Sequence, residues 1–176
     1  PILLKAAELF DFDDKLGARW LTHVPLPAYQ NPGPWQSAFS QSRAISILLR
    51  AYQQSQKSKY RKLAELALKP FQYSVQEGGV SSEAPWGICY EEYTASVPTL
   101  VLNGHIFALF GLFDYQRVFP NDEDCNLLIK DGLASLKNSL PYYDMGYWTR
   151  YNYCEAEFYP DIDPATISYG QVQKVL

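Results

Sequence analysis

The chain has 176 residues, 47% hydrophobic and 19% charged, which is enough apolar material for one ordinary core and too little length for two domains of usual size. Fifteen Lys and Arg against nineteen Asp and Glu leave a formal charge of −4, which argues against a general nucleic-acid binder, because phosphate affinity needs clustered cations. The apolar share argues equally against a disordered chain.

A short helix is predicted over residues 2–10. Pro25, Pro27, Pro32, Gly33 and Pro34 then forbid regular helix and leave residues 1–34 as an irregular lead-in. From Trp35 the pattern turns helical: Ile45, Leu48, Leu49 and Tyr52 fall at i, i+3, i+4 and i+7, giving one apolar face to a helix near 36–55. A second helix near 59–77 aligns Tyr60, Leu63, Ala64 and Ala67, with Pro70 expected to kink it or end its first half. The basic cluster Lys57, Lys59, Arg61 and Lys62 reads as the solvated start of that helix. Gly78, Gly79, Pro85 and Gly87 break the rhythm around a short β-like stretch, Ile88-Cys89-Tyr90.

A third helix, near 98–118, is apolar nearly all round and calls for neighbours on most sides. The apolar run Val97 to Phe113 is interrupted by Asn103, Gly104 and His105, and reads as buried in protein rather than in a bilayer. Asp122, Glu123 and Asp124 suit the positive end of a fourth helix, with a predicted core face of Ile129, Leu133, Leu136 and Leu140 and a stop at Pro141. Residues 142–160 read as a hairpin or ordered loop, and a last helix is expected near 165–176. Helices of similar length, one of them buried all round, predict an all-α fold: a single domain of antiparallel helical hairpins forming an incomplete (α/α) toroid, with short β or irregular loops at one end. Pro1 in place of an initiator Met reads as a fragment of a longer protein.

Fourteen Tyr, nine Phe and four Trp make 15% of the chain aromatic. Tyr and Trp join a flat apolar body to a polar tip, which suits core walls and sugar-stacking clefts alike. Cys89, Cys125 and Cys154 share no metal-ligand spacing, and His23 and His105 are too few and too isolated for zinc, so neither a metal nor another cofactor is expected. Two non-helical segments hold the polar and aromatic residues that the helices do not need: 86–93, leading into Asn103-Gly104, and 142–151. In an extended segment Glu91 and Glu92 point opposite ways, so at most one readily faces a given cleft. From residue chemistry alone, Trp86 and Trp148 are sugar platforms or packed rings. Asn103 is a substrate group or a helix-to-loop bond, His105 a core histidine, and Asp144 an Asx-turn before Gly146.

Glu91-Glu92-Tyr93, followed ten residues after the tyrosine by Asn103 within Val101-Leu102-Asn103-Gly104, resembles the signature of D-glucuronyl C5-epimerases. Trp35-Gln36-Ser37-Ala38-Phe39-Ser40-Gln41, Leu109-Phe110-Gly111-Leu112-Phe113-Asp114, Leu140-Pro141, Tyr143-Asp144, Gly146 and Tyr151 are similar, in order, to the C-terminal domain of that family. The resemblance covers roughly residues 20–155. It implies conversion of glucuronate to iduronate in a heparosan-type polysaccharide, by removal of the C5 proton and its return on the opposite face.

By position, the resemblance makes Tyr93 a catalytic tyrosine, Glu92 the carboxylate beside it, and Tyr151 a further active-site tyrosine. Arg150, Asn103, Trp86, Trp148 and Tyr143 are the accompanying candidates for substrate binding. Arg150 would point away from Tyr151 in an extended segment, and Arg19, Arg43 and Arg50 are other cations able to serve a basic cleft. At the place of the family's tyrosine in an Asp-Tyr-His motif this chain has Asp163-Pro164-Ala165, ahead of Gln171-Val172-Gln173. The expected partner is an acidic polysaccharide or uronate-containing oligosaccharide, with neither nucleic acid nor a membrane span, and with a homodimer left open. Two other readings stay open: a related toroid polysaccharide lyase or glycoside hydrolase, and a non-catalytic carbohydrate-binding or scaffold module.

Overall fold

In the computed structural model, which describes residues 2–168, the first long helix is α2, Ala38–Ser55. Ser37 starts it by accepting a hydrogen bond from the Ser40 amide, and Gln56 ends it in the left-handed conformation. Before it lie a short helix α1, Ile2–Ala7, and a hairpin of β1, Asp11–Asp13, and β2, Gly17–Arg19. After it come α3, Ser58–Leu68, a second hairpin of β3, Ser81–Ala84, and β4, Gly87–Tyr90, and then α4, Leu102–Val118, and α5, Glu123–Tyr143. Short 3-10 turns occupy Pro27–Tyr29, Lys69–Gln72 and Val75–Glu77.

Helix α4 sits between α2 on one side and α5 on the other, with α3 packed on α2 and β4 on α5. α2 and α4 come close at Gly111, where a Cβ would stand 2.4 Å from that of Ser42. Ile45, Leu48, Leu49, Ala64, Ala108, Leu109 and Leu112 fill the space between these helices. Gln41, buried in the same layer, donates to the Ala18 carbonyl at 2.6 Å and the Ala67 carbonyl at 2.8 Å, fastening the first hairpin and α3 to α2. None of the described helices is long and apolar enough to cross a membrane.

The all-α, incomplete-toroid expectation is overturned. Two small antiparallel sheets take part in the packing, and the fold is mixed α/β. Strands of three and four residues are too short to display a period of two, and turn chemistry forms them instead. In the first hairpin Asp13 Oδ1 accepts from the Lys15 and Leu16 amides, and Gly17 takes φ 74°. In the second, Gly87 at φ 129° lies against Ser135 of α5.

Other expectations shift for local reasons. α3 stops at Leu68 and hands over to the turn containing Pro70. α4 begins at Leu102 rather than near 98, since Pro98 precedes Thr99 and Leu100 turns the chain at φ 49°. On α5, Leu133 and Leu140 are exposed, and the buried face is Cys125, Ile129, Gly132, Ser135, Ser139 and Tyr143. Small residues prevail there because the second hairpin comes close: a Cβ on Gly132 would stand 2.8 Å from the Tyr90 ring. Pro141 falls inside the last turn of α5, which closes with the Asp144 amide donating to the Leu140 carbonyl. Most of the helix predicted over 165–176 lies outside the described residues.

Candidate active site

The loop between β4 and α4 is organised by a buried acid. The Glu91 carboxylate, 1% exposed, accepts from the Thr99 amide at 3.1 Å, the Thr99 hydroxyl at 2.6 Å and the Leu100 amide at 3.0 Å. Burial pushes this carboxyl above its ordinary value, and those bonds oppose the shift. Its backbone is also held, by the Val80 carbonyl and the Ala38 amide. Glu91 thus faces inward as a strut.

Glu92 lies instead against the first turn of α4. A Cβ on Gly104 would stand 2.3 Å from the Glu92 Cβ, so only glycine lets this carboxylate sit there. Burial raises the Glu92 carboxyl too, and a hydrogen bond from Tyr93 opposes it. The next hydroxyl along is that of Tyr151, whose oxygen is 3.3 Å from that of Tyr93. Tyr151 arrives from a different loop, fixed by its amide donating to the Asp163 carbonyl at 2.8 Å and its carbonyl accepting from the Leu102 amide. Its phenol is pushed far up, first by burial and then by the charge of Glu92, so it is held protonated. A carboxylate, a phenol and a second phenol therefore stand in sequence, able to move a proton among themselves.

Asn103 completes the signature. It is 2% exposed in the first turn of α4, and both its amide oxygen and nitrogen lack a partner among the described residues. Leaving such groups unsatisfied costs roughly 1–3 kcal/mol each, which makes the side chain ready for water or a ligand.

The remaining predicted residues lie elsewhere. Arg150 donates to the Asp161 carbonyl at 2.9 Å, with its guanidinium over the Tyr153 ring. Trp86 is buried among Tyr142, Tyr143 and Tyr153. The Tyr143 hydroxyl donates to the Leu100 carbonyl, and the Trp148 indole donates to the Ala165 carbonyl at 2.6 Å. Pro164 is bridged to Arg150, so the segment holding it runs beside Tyr151. His105 is a core histidine: Nδ1 accepts from the Tyr90 amide and Nε2 faces the Gly132 carbonyl, while burial lowers it to about 4.

Three aromatic neighbours lie outside the predicted site residues. The Tyr93 ring meets the Trp35 ring edge-on at 5.4 Å and the Tyr29 ring at 5.7 Å. Tyr29 in turn stacks on Tyr159 at 5.0 Å, and its hydroxyl accepts from the Asn152 amide at 2.8 Å. For Tyr29 and Tyr159 the sequence signal is an aromatic residue near prolines with no helical face to fill, whereas Trp35 also opens the stretch that resembles the family.

A half-buried carboxylate and two facing phenols form the kind of site that handles protons on a polar ligand. Comparison with known sequences gives the family. The profile of the D-glucuronyl C5-epimerase C-terminus matches residues 14–173, and the chain belongs to this family. It is 38% identical over 132 residues to a D-glucuronyl C5-epimerase of Caenorhabditis elegans, covering 69% of this chain and 21% of the relative. It is also 31% identical over 140 residues to an uncharacterised protein of Methanocaldococcus jannaschii, covering 76% of this chain and 44% of that protein. The chain thus spans less than half the length of either relative.

Proposed function

We propose that this domain epimerises glucuronate at C5 within an acidic, heparosan-like polysaccharide. The observation that carries the reading is the contact of Tyr93 and Tyr151 at 3.3 Å beside Glu92. A C5 hydrogen next to a carboxylate is weakly acidic, so its removal needs a base on one face, an acid on the other, and support for the enediolate charge between. Tyr93 passes its proton to Glu92 and takes the C5 proton, and the electron pair moves into the uronate carboxylate. Tyr151, kept as the neutral phenol, returns a proton to C5 from the opposite face, and solvent exchange restores the starting protonation. Asn103 supplies its free amide to the uronate. The two hydroxyls are too close to straddle a sugar ring, so the ring must part them as it enters; their 3.3 Å separation is long for a hydroxyl pair and yields at small cost.

A second reading has one observation in its favour. Pro164 occupies the place where the resemblance has a tyrosine, and a proline moves no proton. That favours a carbohydrate-binding module without turnover.

Incubation of the chain with heparosan-type polysaccharide in deuterium oxide, read by NMR, tests both. Deuterium at C5 with chain length unchanged is the expected result. Binding without label supports the module, and an unsaturated product absorbing in the ultraviolet marks a lyase.

A further inference from the structure

Tyr93 and Tyr151 meet from segments 58 residues apart, so their contact depends on what fixes one loop to the other. A buried clasp lies between those loops. At its centre is Thr99, fully enclosed in the turn ahead of α4. Its hydroxyl stands 2.6 Å from a Glu91 carboxylate oxygen and 3.2 Å from the Tyr93 carbonyl, so one hydrogen serves two acceptors. That shared bond ties the backbone of Tyr93 to Glu91. Glu91 is a firm anchor: its amide donates to the Val80 carbonyl and its carbonyl accepts from the Ala38 amide, each at 2.8 Å.

The same carboxylate reaches the loop of Tyr151. One of its oxygens accepts from the Thr99 amide and the other from the Leu100 amide. Leu100 takes φ 49°, a left-handed conformation that a leucine keeps only where its surroundings impose it. With Leu100 so turned, its carbonyl accepts from the Tyr143 hydroxyl and the Tyr153 amide, and Val101 bridges to Asn152. The Leu102 amide then donates to the carbonyl of Tyr151 at 3.3 Å. Residues 100–102 thus splint residues 151–153, and the splint is held at its near end by Glu91.

From these bonds we propose that Thr99 is a positioning residue: clasped to Glu91, it sets the phenol of Tyr93 against that of Tyr151. Thr99 touches no substrate, and the effect on the reaction passes through Tyr93. The consequence for exchange at C5 rests on the epimerase reading, whereas the placing of the two rings does not.

The test uses the chain with its tyrosines isotope-labelled at Cζ for carbon NMR, and follows deuterium entry at C5 in parallel. Thr99→Val keeps the branched shape and removes the hydroxyl. The Tyr93 and Tyr151 signals, assigned by single Phe variants, should both shift. The signal of Tyr115, whose hydroxyl donates to Asp122 at 3.2 Å, should stay in place and so report an intact fold. Exchange should fall about tenfold with KM within about twofold of wild type. Thr99→Ser retains the hydroxyl and should restore both ring signals and the rate. Glu91→Gln is the second variant. Both carboxylate oxygens accept an amide hydrogen, so either orientation of the glutamine sets a donor against a donor, and the same two signals should move. In a Tyr93→Phe background, Thr99→Val should change the residual exchange by less than about twofold, because the group it positions is gone. Unmoved Tyr93 and Tyr151 signals in both variants overturn the proposal, as does an equal loss of exchange with and without the Tyr93 hydroxyl. Shifted ring signals with no deuterium entering C5 in wild type keep the clasp and remove the epimerase reading. Label at C5 with ring signals indifferent to Thr99 and Glu91 does the reverse.

Discussion

Two tyrosine-rich patches of this molecule look alike in sequence and differ in what their polar tips meet. Around Trp86, the rings of Tyr143 and Tyr153 pack edge to face and that of Tyr142 packs tilted, and the Tyr143 hydroxyl ends on the Leu100 carbonyl. Around Tyr93, the rings of Tyr29 and Trp35 pack in much the same way, yet the hydroxyl ends on another phenol beside a carboxylate. A backbone carbonyl cannot titrate, so a phenol tied to one serves the fold. A phenol tied to titratable groups can exchange its proton. The destination of the hydroxyl separates the two patches where aromatic content does not.

The sharpest way to break this comparison is to remove one hydroxyl from each side. Tyr93→Phe is expected to lower C5 exchange by about 10²–10⁴-fold, the usual worth of a positioned acid or base, and to cost about 1–2 kcal/mol in urea denaturation, because Glu92 loses a hydrogen bond. Tyr143→Phe is expected to leave exchange intact and to lose about 1 kcal/mol in urea denaturation, for one hydrogen bond to a carbonyl that also accepts from the Tyr153 amide. If both variants lose activity alike, the distinction by hydroxyl partner is wrong.

A second contrast concerns pH. His105 belongs to the structural side and, buried, is lowered to about 4 from its ordinary 6.5. Between those values the unfolded chain binds a proton that the folded chain refuses, so stability present above pH 6.5 is lost as pH falls toward 4, by about 3 kcal/mol in all. Glu91 and Glu92 act in the opposite sense. Their raised carboxyls add stability that is complete below their unfolded value and is lost as pH rises through the folded one. Urea denaturation at several pH values between 7 and 4 should show the acid loss in wild type and a flatter profile in His105→Gln. Exchange should rise with pH as Glu92 ionises, and the histidine variant should keep that profile.

How much of this was legible beforehand follows from the range of each interaction. Ile45, Leu48 and Leu49 announce α2 because a helix repeats its own face within a few residues. The buried face of α5 could not be read that way. Gly132 and Ser135 are there to admit Tyr90 and Gly87, whose approach is a tertiary fact. The first hairpin hides for a related reason, since its turn rather than its strands carries the signal, whereas Ile88-Cys89-Tyr90 of β4 reads as β-like in the sequence. In the site, Glu92, Tyr93 and Asn103 are visible through the ordered motif, whereas Tyr29 and Trp35 reach Tyr93 only after the lead-in has folded back.

Gly104 links the two kinds of information, because its role is local in sequence and tertiary in effect. Gly104→Ala would drive a methyl into Glu92, which is held on one side by α4 and on the other by the Tyr93 bond. Overpacking of this sort costs about 2 kcal/mol. A displaced Glu92 should also slow exchange, so both losses are expected together in denaturation and NMR assays. Stability lost with exchange unchanged would mean that Glu92 does not serve the reaction.

The smallest effect is expected at the tip of the loop that delivers Tyr151. Asp144 Oδ1 accepts from the Gly146 amide at 2.7 Å, and Gly146 takes φ 82°, an exposed Asx-turn that orders the tip. Asp144→Ala frees that amide to water, so the loss in urea denaturation should be about 0.5 kcal/mol. Tyr151 is fixed below the tip by the Asp163 carbonyl and the Leu102 amide, and Arg150 by the Tyr143 carbonyl. These backbone bonds do not pass through Asp144, so exchange should stay within about twofold of wild type, whereas a larger fall would show that the tip itself sets the Tyr151 phenol against Tyr93.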